Sequence, residues 1–419
     1  MQDEKVQREG GPLRGCRVLE LGSTIAGPFC GRLLADFGAE VIKVEDPAGD
    51  PVRSMGKRHQ GVSLYAASIF RNKRLISIDL RRPEGQDIVR RLVASCDIVV
   101  ENFRPGGLEK WGIGFEQLQR IRPDLIMARI SGFGQDGPYS PRPGFGIIGE
   151  AVSGLRHLTG DPDRPPARVA VSLTDYIAGL YAAFGIVLAV LERKATGKGQ
   201  LVDATLFEAA FSFMEPFIPA YDKLGDIPNR AGPALPGHAP NTLYRAKDGG
   251  YIHIAAAGQS LFQRLINAMG RSDLIEDERF KTPVLRGENS VALDQIIGDW
   301  VAQRTVQEIE DLLVNVAEVP AARIYTVADI FRDAHYRARN MIAEVAEQDL
   351  GTVKLANVVP KLSGSPGEIR WSGRHLGQDT RAVLTELANF TDEAVDALAA
   401  AGVVHCDSSA KLAADSGRN

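Results

Sequence analysis

The sequence predicts an α/β protein: a large doubly wound, Rossmann-like domain joined to a smaller α+β domain. Three observations carry that expectation. Short apolar runs alternate with segments of helical period from residue 13 to residue 218, the rhythm of βα units that stack into a parallel sheet. Residues 219–241, PAYDKLGDIPNRAGPALPGHAPN, break the rhythm with proline, glycine and asparagine and read as a linker. The texture then changes, because TLYRAKDGGYIHIAAA reads as a hairpin turning at Lys247-Asp248-Gly249-Gly250 and short helices follow it. The expected division is a flexible start at 1–12, the first part of the large domain at 13–218 and the linker at 219–241. A small domain at 242–318, a return to the large domain at 319–403 and a flexible polar tail at 404–419 complete it.

Residues 13–45, LRGCRVLELGSTIAGPFCGRLLADFGAEVIKVE, form the first βαβ unit. A strand is expected over 17–21 and a helix over 27–37, with Phe29, Leu33, Leu34 and Phe37 at helical spacing and Gly38 as its stop; a second strand runs over 41–45. A dinucleotide enzyme is tested at this turn and fails. Glu45 stands about 20 residues after Gly22, as a ribose-binding acid would. The glycines, however, run Gly22, Gly27, Gly31, and Pro28 occupies the phosphate turn. A long Gly/Pro-rich loop follows to Tyr65, of a size that is commonly functional. Strands are then expected over 74–79, 97–102 and 125–130, with helices over 83–95 and 115–120 between them. After a second glycine- and proline-rich loop, SGFGQDGPYSPRPGFG, residues 147–155 read as helix, Val169 and Val171 as a short strand, and ATGKGQLVDATLFEAAFSFM as turn, strand and helix. Late helices are expected in LFQRLINAMG, SVALDQIIGDWV, TVQEIEDLLVNV and TDEAVDALAAAG.

Composition excludes several classes of function. The 419 residues carry 49 Lys and Arg against 53 Asp and Glu, a net charge of −4, and no basic stripe with interleaved aromatics marks a nucleic-acid surface. Four scattered cysteines form no CxxC pair, and seven dispersed histidines lack ligand spacing. Reduced thiols, a cytoplasmic location and no metal are therefore expected. The charged start MQDEKVQREGG is not a secretory signal. The apolar stretch Tyr176 to Leu191 falls short of a membrane span and reads as a buried helix.

That stretch carries one acid at its mouth. Asp175 is the only carboxylate between Asp163 and Glu192. Residue type alone favours a helix cap, since Asp accepts hydrogen bonds from the first free N–H groups and suits the positive end of the helix dipole. A reagent is the alternative, because α/β folds bind ligands where strands give way to helices. A helix start there would also keep the carboxylate ionised.

Five blocks bear on the choice: LELGSTIAGPFCGRLLADFGAEVIKVE, NKRLISIDLRRPEG, VVENFRPGGLEKWG, LTDYIAGLYAAFG with its following TGKGQ, and PAARIYTVADIF. Each resembles a block of the class III CoA-transferases, the family of formyl-CoA transferase, the carnitine and bile-acid-inducible enzymes and the α-methylacyl-CoA racemases. The resemblance covers nearly the whole chain in order. It implies a large domain built from both chain ends and an interlocked homodimer of two open rings. It also implies Asp175 as the nucleophile, working through anhydride and aspartyl-CoA thioester intermediates, with coenzyme A as a thioester substrate rather than a tightly bound cofactor. The implied CoA contacts are Ile25 and Ala26 near the thioester, Ile78, Asp79, Leu80 and Arg81 beside the nucleotide, then Asn102, Phe103, Arg104 and Lys110.

The chain departs from formyl-CoA transferase near Gly144 and Gly146, where that enzyme has a lysine and a tyrosine. It also lacks that enzyme's glycine-only loop, AGPALPGHAPN standing in its place. The racemase histidine falls at Phe145, which moves no proton, and His157 reads as a loop residue. The expected reaction is CoA transfer from an acyl-CoA, succinyl-CoA foremost, to a short dicarboxylate or sulfinate acid. Arg53, Arg71, Arg142 and His238 are candidates for a distal carboxylate. The alternatives are a racemase-like enzyme and a non-catalytic CoA-binding protein. No nucleic acid or membrane partner is expected.

Overall fold

The computed structural model describes residues 10–407, which fall into two compact units. The first takes the chain up to Leu155, then Val169–Ile218 and everything from Tyr336 onward; the second takes Arg156–Arg168 and Pro219–His335.

In chain order the first unit contributes β1 (Arg17–Glu20), α1 (Ala26–Asp36), β2 (Glu40–Glu45), β3 (Lys73–Ile78), α2 (Pro83–Val93), β4 (Ile98–Glu101), α3 (Phe115–Ile121), β5 (Ile126–Ser131), α4 (Gly146–Val152), α5 (Leu173–Thr196), β6 (Leu201–Thr205) and α6 (Leu206–Phe211). The second unit holds an antiparallel sheet of β7 (Asn241–Arg245), β8 (Tyr251–Ala255) and β9 (Ala321–Arg323), with β8 in the middle. The chain then returns with the hairpin β10 (Ile342–Glu347) and β11 (Gly351–Ala356), helices Thr380–Ala388 and Asp392–Ala400, and a last strand, β12 (Val404–His405).

The main sheet runs β12-β3-β2-β1-β4-β5-β6, and every pairing is parallel except that of β12 with β3. Both faces are covered, which is why the strands read as continuous apolar runs rather than alternating ones. Successive side chains of a strand point to opposite faces. Leu19, Ile42, Val99 and Met127 meet α2, Leu118 of α3 and the Val383–Leu384 helix. Val18, Val41, Ile98, Ile126 and Ala128 meet α1 and Ala178, Ala182 and Ile186 of α5. Strand order reverses between β1 and β4, and a crevice beyond their carboxyl ends is where such sheets bind ligands.

Several expectations need correction. Residues 169–171 form no strand: Ser172 leads straight into α5, so Asp175 stands on a helix whose approach is irregular chain. The valines there are exposed, and alternation over so few residues is too short a signal. Helix α5 is not buried all round. Leu180, Phe184, Leu188 and Leu191 are each about half exposed. They leave an apolar stripe opposite the sheet. By length and composition the helix is long and apolar enough to cross a membrane, yet its other face is part of the core beside β5 and β6. The expected linker begins as helix Phe217–Leu224. The second unit runs past residue 318 to His335, because β9 adds to the edge of β8. The expected tail starts as strand: Val404 pairs with Ile78 and the Asp79 amide donates to the Val403 carbonyl at 2.8 Å. Residues 1–9 and 408–419, the remainder of the expected flexible ends, lie outside the described residues.

Candidate active site

Two cavities open at the switch point and share Ser23 and Phe103. One is lined by Ser23 to Ala26 after β1, Asn102 to Pro105 after β4, Arg142, Gly144 and Phe145 of the glycine-rich loop, Leu206 and Asp175. The other, about 370 Å³, is lined by Val44 to Asp46, Ile78 to Arg81, Phe103 and Trp111. The sequence-expected contacts thus divide into a group around Asp175 (Ile25, Ala26, Asn102, Phe103, Arg104) and a group further along (Ile78, Asp79, Leu80, Arg81).

The wall between them is held by a few specific bonds. Asn102 uses both ends of its amide on Ser23: Oδ1 accepts from the Ser23 amide at 2.7 Å and Nδ2 donates to its carbonyl at 2.9 Å. The two turns are therefore locked to each other. Glu101 accepts from the Phe103 amide at 2.6 Å and from Arg129 at 2.6 Å, and burial still pushes its carboxyl up to about 7. Phe103 packs edge-on against Trp111 at 5.5 Å. Thr24 holds a left-handed φ of 68°, a conformation that costs a β-branched residue about 1–3 kcal/mol. Asp50 stabilises it by accepting the Thr24 amide at 3.1 Å.

Asp50 is itself part of a buried charge platform beneath the turn. Lys43 Nζ lies 3.0 Å from Asp50 and Lys73 Nζ 2.7 Å from Glu20, all four side chains fully buried. Removing one partner of such a set costs about 3–5 kcal/mol, since it strands a charge out of water. Gly31, which the dinucleotide test weighed as a phosphate glycine, makes room for this platform: a Cβ there would meet Glu20 Oε2 at 1.8 Å. The platform is invisible in sequence because its members come from four separate segments.

Asp175 sits in the first turn of α5 and is not its cap. The cap position is Ser172, with no side-chain cap bond. Burial drives its carboxyl from 3.8 to about 6, partly countered by a hydrogen bond from its own backbone N–H. Desolvation outweighs the helix N–H groups expected to keep it ionised, yet near 6 the carboxyl is still mostly ionised at neutral pH. Its neighbours fix the turn. Thr174 Oγ1 donates to the Gly146 carbonyl at 2.6 Å, Tyr176 bonds the Tyr65 hydroxyl at 2.7 Å, and the Phe29 ring meets Tyr176 edge-on at 4.7 Å. Gly146 touches the carboxylate itself, for a Cβ there would fall 2.0 Å from Asp175 Oδ2. The sequence marked Gly146 as a departure but gave no sign of this contact.

The remaining candidates lie elsewhere. Arg71 is fully buried and spent on Asp36 at 2.6 Å and the Ala356 carbonyl, so it meets no ligand. Arg53 is forked onto Glu45 at 2.6 and 2.7 Å. His238 belongs to the second unit, with Nδ1 against the Pro236 carbonyl. Lys110 is exposed and lines neither cavity. Arg81 lines the cavity of Ile78 to Leu80 while paired with Asp79 and Asp46. Arg142 lines the Asp175 cavity. No histidine lines that cavity, and His157 bonds the Pro228 carbonyl within the second unit. No cluster of three or more metal-ligating side chains occurs among the described residues.

The family model of CoA-transferase family III matches residues 13–380. The chain belongs to that family. Among curated relatives, succinyl-CoA--D-citramalate CoA-transferase of Chloroflexus aurantiacus is 47% identical over 400 residues, covering 95% of this chain and 99% of the relative. The beta subunit of succinyl-CoA--L-malate CoA-transferase from the same organism is 40% identical, covering 94% and 98%. Among solved structures, a CAIB/BAIF family protein from Brucella suis superposes with a TM-score of 0.81 at 36% identity, covering 90% of this chain and all of that one.

Proposed function

We propose that this enzyme moves CoA from succinyl-CoA to a short dicarboxylic acid, with Asp175 as the covalent relay. The observation that carries the reading is a desolvated carboxylate with no ion-pair partner among the described residues, lining a cavity that shares Ser23 and Phe103 with its neighbour. The names of the citramalate and malate enzymes support the substrate class.

The steps follow from the chemistry of carboxylates and thioesters. An Asp175 oxygen attacks the thioester carbonyl, the C–S bond breaks, and CoA leaves as thiolate while a mixed anhydride forms. The thiolate attacks the Asp175 carbonyl carbon, succinate departs, and an aspartyl-CoA thioester remains. The acceptor carboxylate attacks that thioester, and the released thiolate then takes the acceptor's acyl group, freeing Asp175. Each step exchanges one acyl bond for another and moves no proton, so no general base is needed, in keeping with a cavity without histidine. Covalent relay divides one hard exchange into easier ones, and exclusion of water preserves the anhydrides. Ser23 to Ala26 and Asn102 to Arg104 would flank the pantetheine, and Ile78 to Arg81 the nucleotide.

We also infer that the working molecule is a homodimer, in the interlocked arrangement that the family resemblance implies. The exposed stripe of α5 and the apolar groove it forms with Leu33, Phe37, Val359 and Leu362 support this. Such a patch on a water-soluble surface marks an interface.

The test is direct. Asp175→Ala should abolish exchange of label between succinyl-CoA and succinate. Hydroxylamine should inactivate the wild type only after preincubation with an acyl-CoA. Robust exchange in the Ala variant, or loss of an α-proton from the acyl group without CoA transfer, would overturn the reading. A panel of dicarboxylates against succinyl-, acetyl- and formyl-CoA identifies the acceptor.

A further inference from the structure

The cavity around Asp175 holds three ionisable side chains, and they do not balance: Asp175, Arg104 and Arg142. Most arginines of this chain near a cavity are spoken for, as Arg53 is by Glu45 and Arg129 by Glu101. Arg104 donates to the Pro141 carbonyl at 2.6 Å, which ties the turn after β4 to the residue before Arg142. Of the two arginines lining this cavity, Arg142 is the one whose guanidinium makes no hydrogen bond among the described residues. Its backbone amide closes a turn onto the Tyr139 carbonyl at 2.8 Å, and its guanidinium carbon lies 3.6 Å from the Tyr139 ring centroid. Among the described residues it makes no side-chain hydrogen bond or ion pair. Stacking of this kind holds the group in place while leaving its edge N–H donors free, and that planar fork fits a carboxylate.

The loop that carries it is built rather than loose. Phe133 packs edge-on against Tyr139 at 5.7 Å, and the Gln135 amide donates to Asp203 at 2.9 Å. The Tyr139 platform is therefore itself anchored.

We propose that Arg142 binds the distal carboxylate of the dicarboxylic acyl group and so sets the enzyme's preference for dicarboxylates. The proposal rests on the reading of donor and acceptor as dicarboxylic acids. A further observation supports it. Arg142 is absent from the cavity lined by Ile78 to Arg81, so the nucleotide phosphates expected there are not its natural ligand. The same site would receive the distal carboxylate of each acid in turn, since donor and acceptor occupy one place at different stages.

The experiment compares succinyl-CoA with butyryl-CoA, its near isostere without the second carboxylate, in wild type, Arg142→Gln and Arg142→Lys. Release of the free acid on formation of the enzyme-bound thioester is the readout. Charge-assisted hydrogen bonds of this sort correspond to about 10- to 100-fold in kcat/KM. Arg142→Gln should lose that factor for succinyl-CoA and change butyryl-CoA by no more than about twofold. Arg142→Lys should recover part of the loss, keeping the charge without the fork. Equal losses with both donors, or no loss with either, would overturn the proposal, the former marking Arg142 as a CoA or scaffold residue. A matched melting temperature excludes misfolding, and the lysine variant gives the same comparison if the glutamine variant is unstable. A wild type that transfers no CoA from either donor would instead sink the functional reading, and one that uses butyryl-CoA alone would sink the dicarboxylate reading.

Discussion

At the scale of single residues, Asp175 sets both rate and stability through one physical cause. Burial raises its carboxyl to about 6, so the proposed nucleophile is mostly ionised at neutral pH and is lost as the pH falls. The transfer rate should drop about tenfold per unit below an apparent pKa near 6, read from kcat/KM for succinyl-CoA against pH. The same burial destabilises the fold. Below pH 3.8 the carboxyl is protonated folded or unfolded, so it costs nothing; between 3.8 and about 6 only the unfolded chain ionises; above that the full penalty applies. Asp175→Asn should therefore gain about 1–3 kcal/mol over wild type at pH 8 and almost nothing at pH 3.5, measured by urea unfolding at both. In the sequence Asp175 was legible as a cap or a reagent, and only the family blocks around it inclined the choice. Its desolvation depends on Gly146, Ile25 and Leu206, brought together from three distant stretches. No local pattern carries that information.

Among elements, the junction of α4 with the start of α5 is where packing and chemistry coincide. Gly146 lies against the Asp175 carboxylate, and its carbonyl holds Thr174. In Gly146→Ala the new methyl must displace either the carboxylate or the helix. A misplacement of about 1 Å can cost about 100-fold in rate, so kcat should fall by that order while the KM for acyl-CoA changes little. Stability should fall by about 1–3 kcal/mol, seen as a lower denaturation midpoint. The sheet was largely legible, since βα units with strands buried on both faces announce themselves by apolar runs between helical periods. Strand ends shifted by a residue or so. Short pieces were not: 169–171 alternates without pairing, while Val404–His405 pairs although it sits in a polar tail. Two- and three-residue strands are decided by an available edge rather than by their own sequence.

For the whole molecule, the exposed stripe of α5 has a measurable consequence. Leu180→Asp with Phe184→Asp places two charges where an apolar partner is expected. The double variant should shift from dimer toward monomer by light scattering, and activity should fall with it. An unchanged mass would remove α5 from the interface. The last strand carries a different implication. Ile78 and Asp79, which line the cavity of about 370 Å³, are hydrogen-bonded on their outer side by Val403 and Val404. A chain still emerging from the ribosome exposes that edge of β3 until residues 403–405 are made and placed. The cavity wall at Ile78 and Asp79 is thus unfinished until then, and an open sheet edge is where a chaperone would find its first handhold.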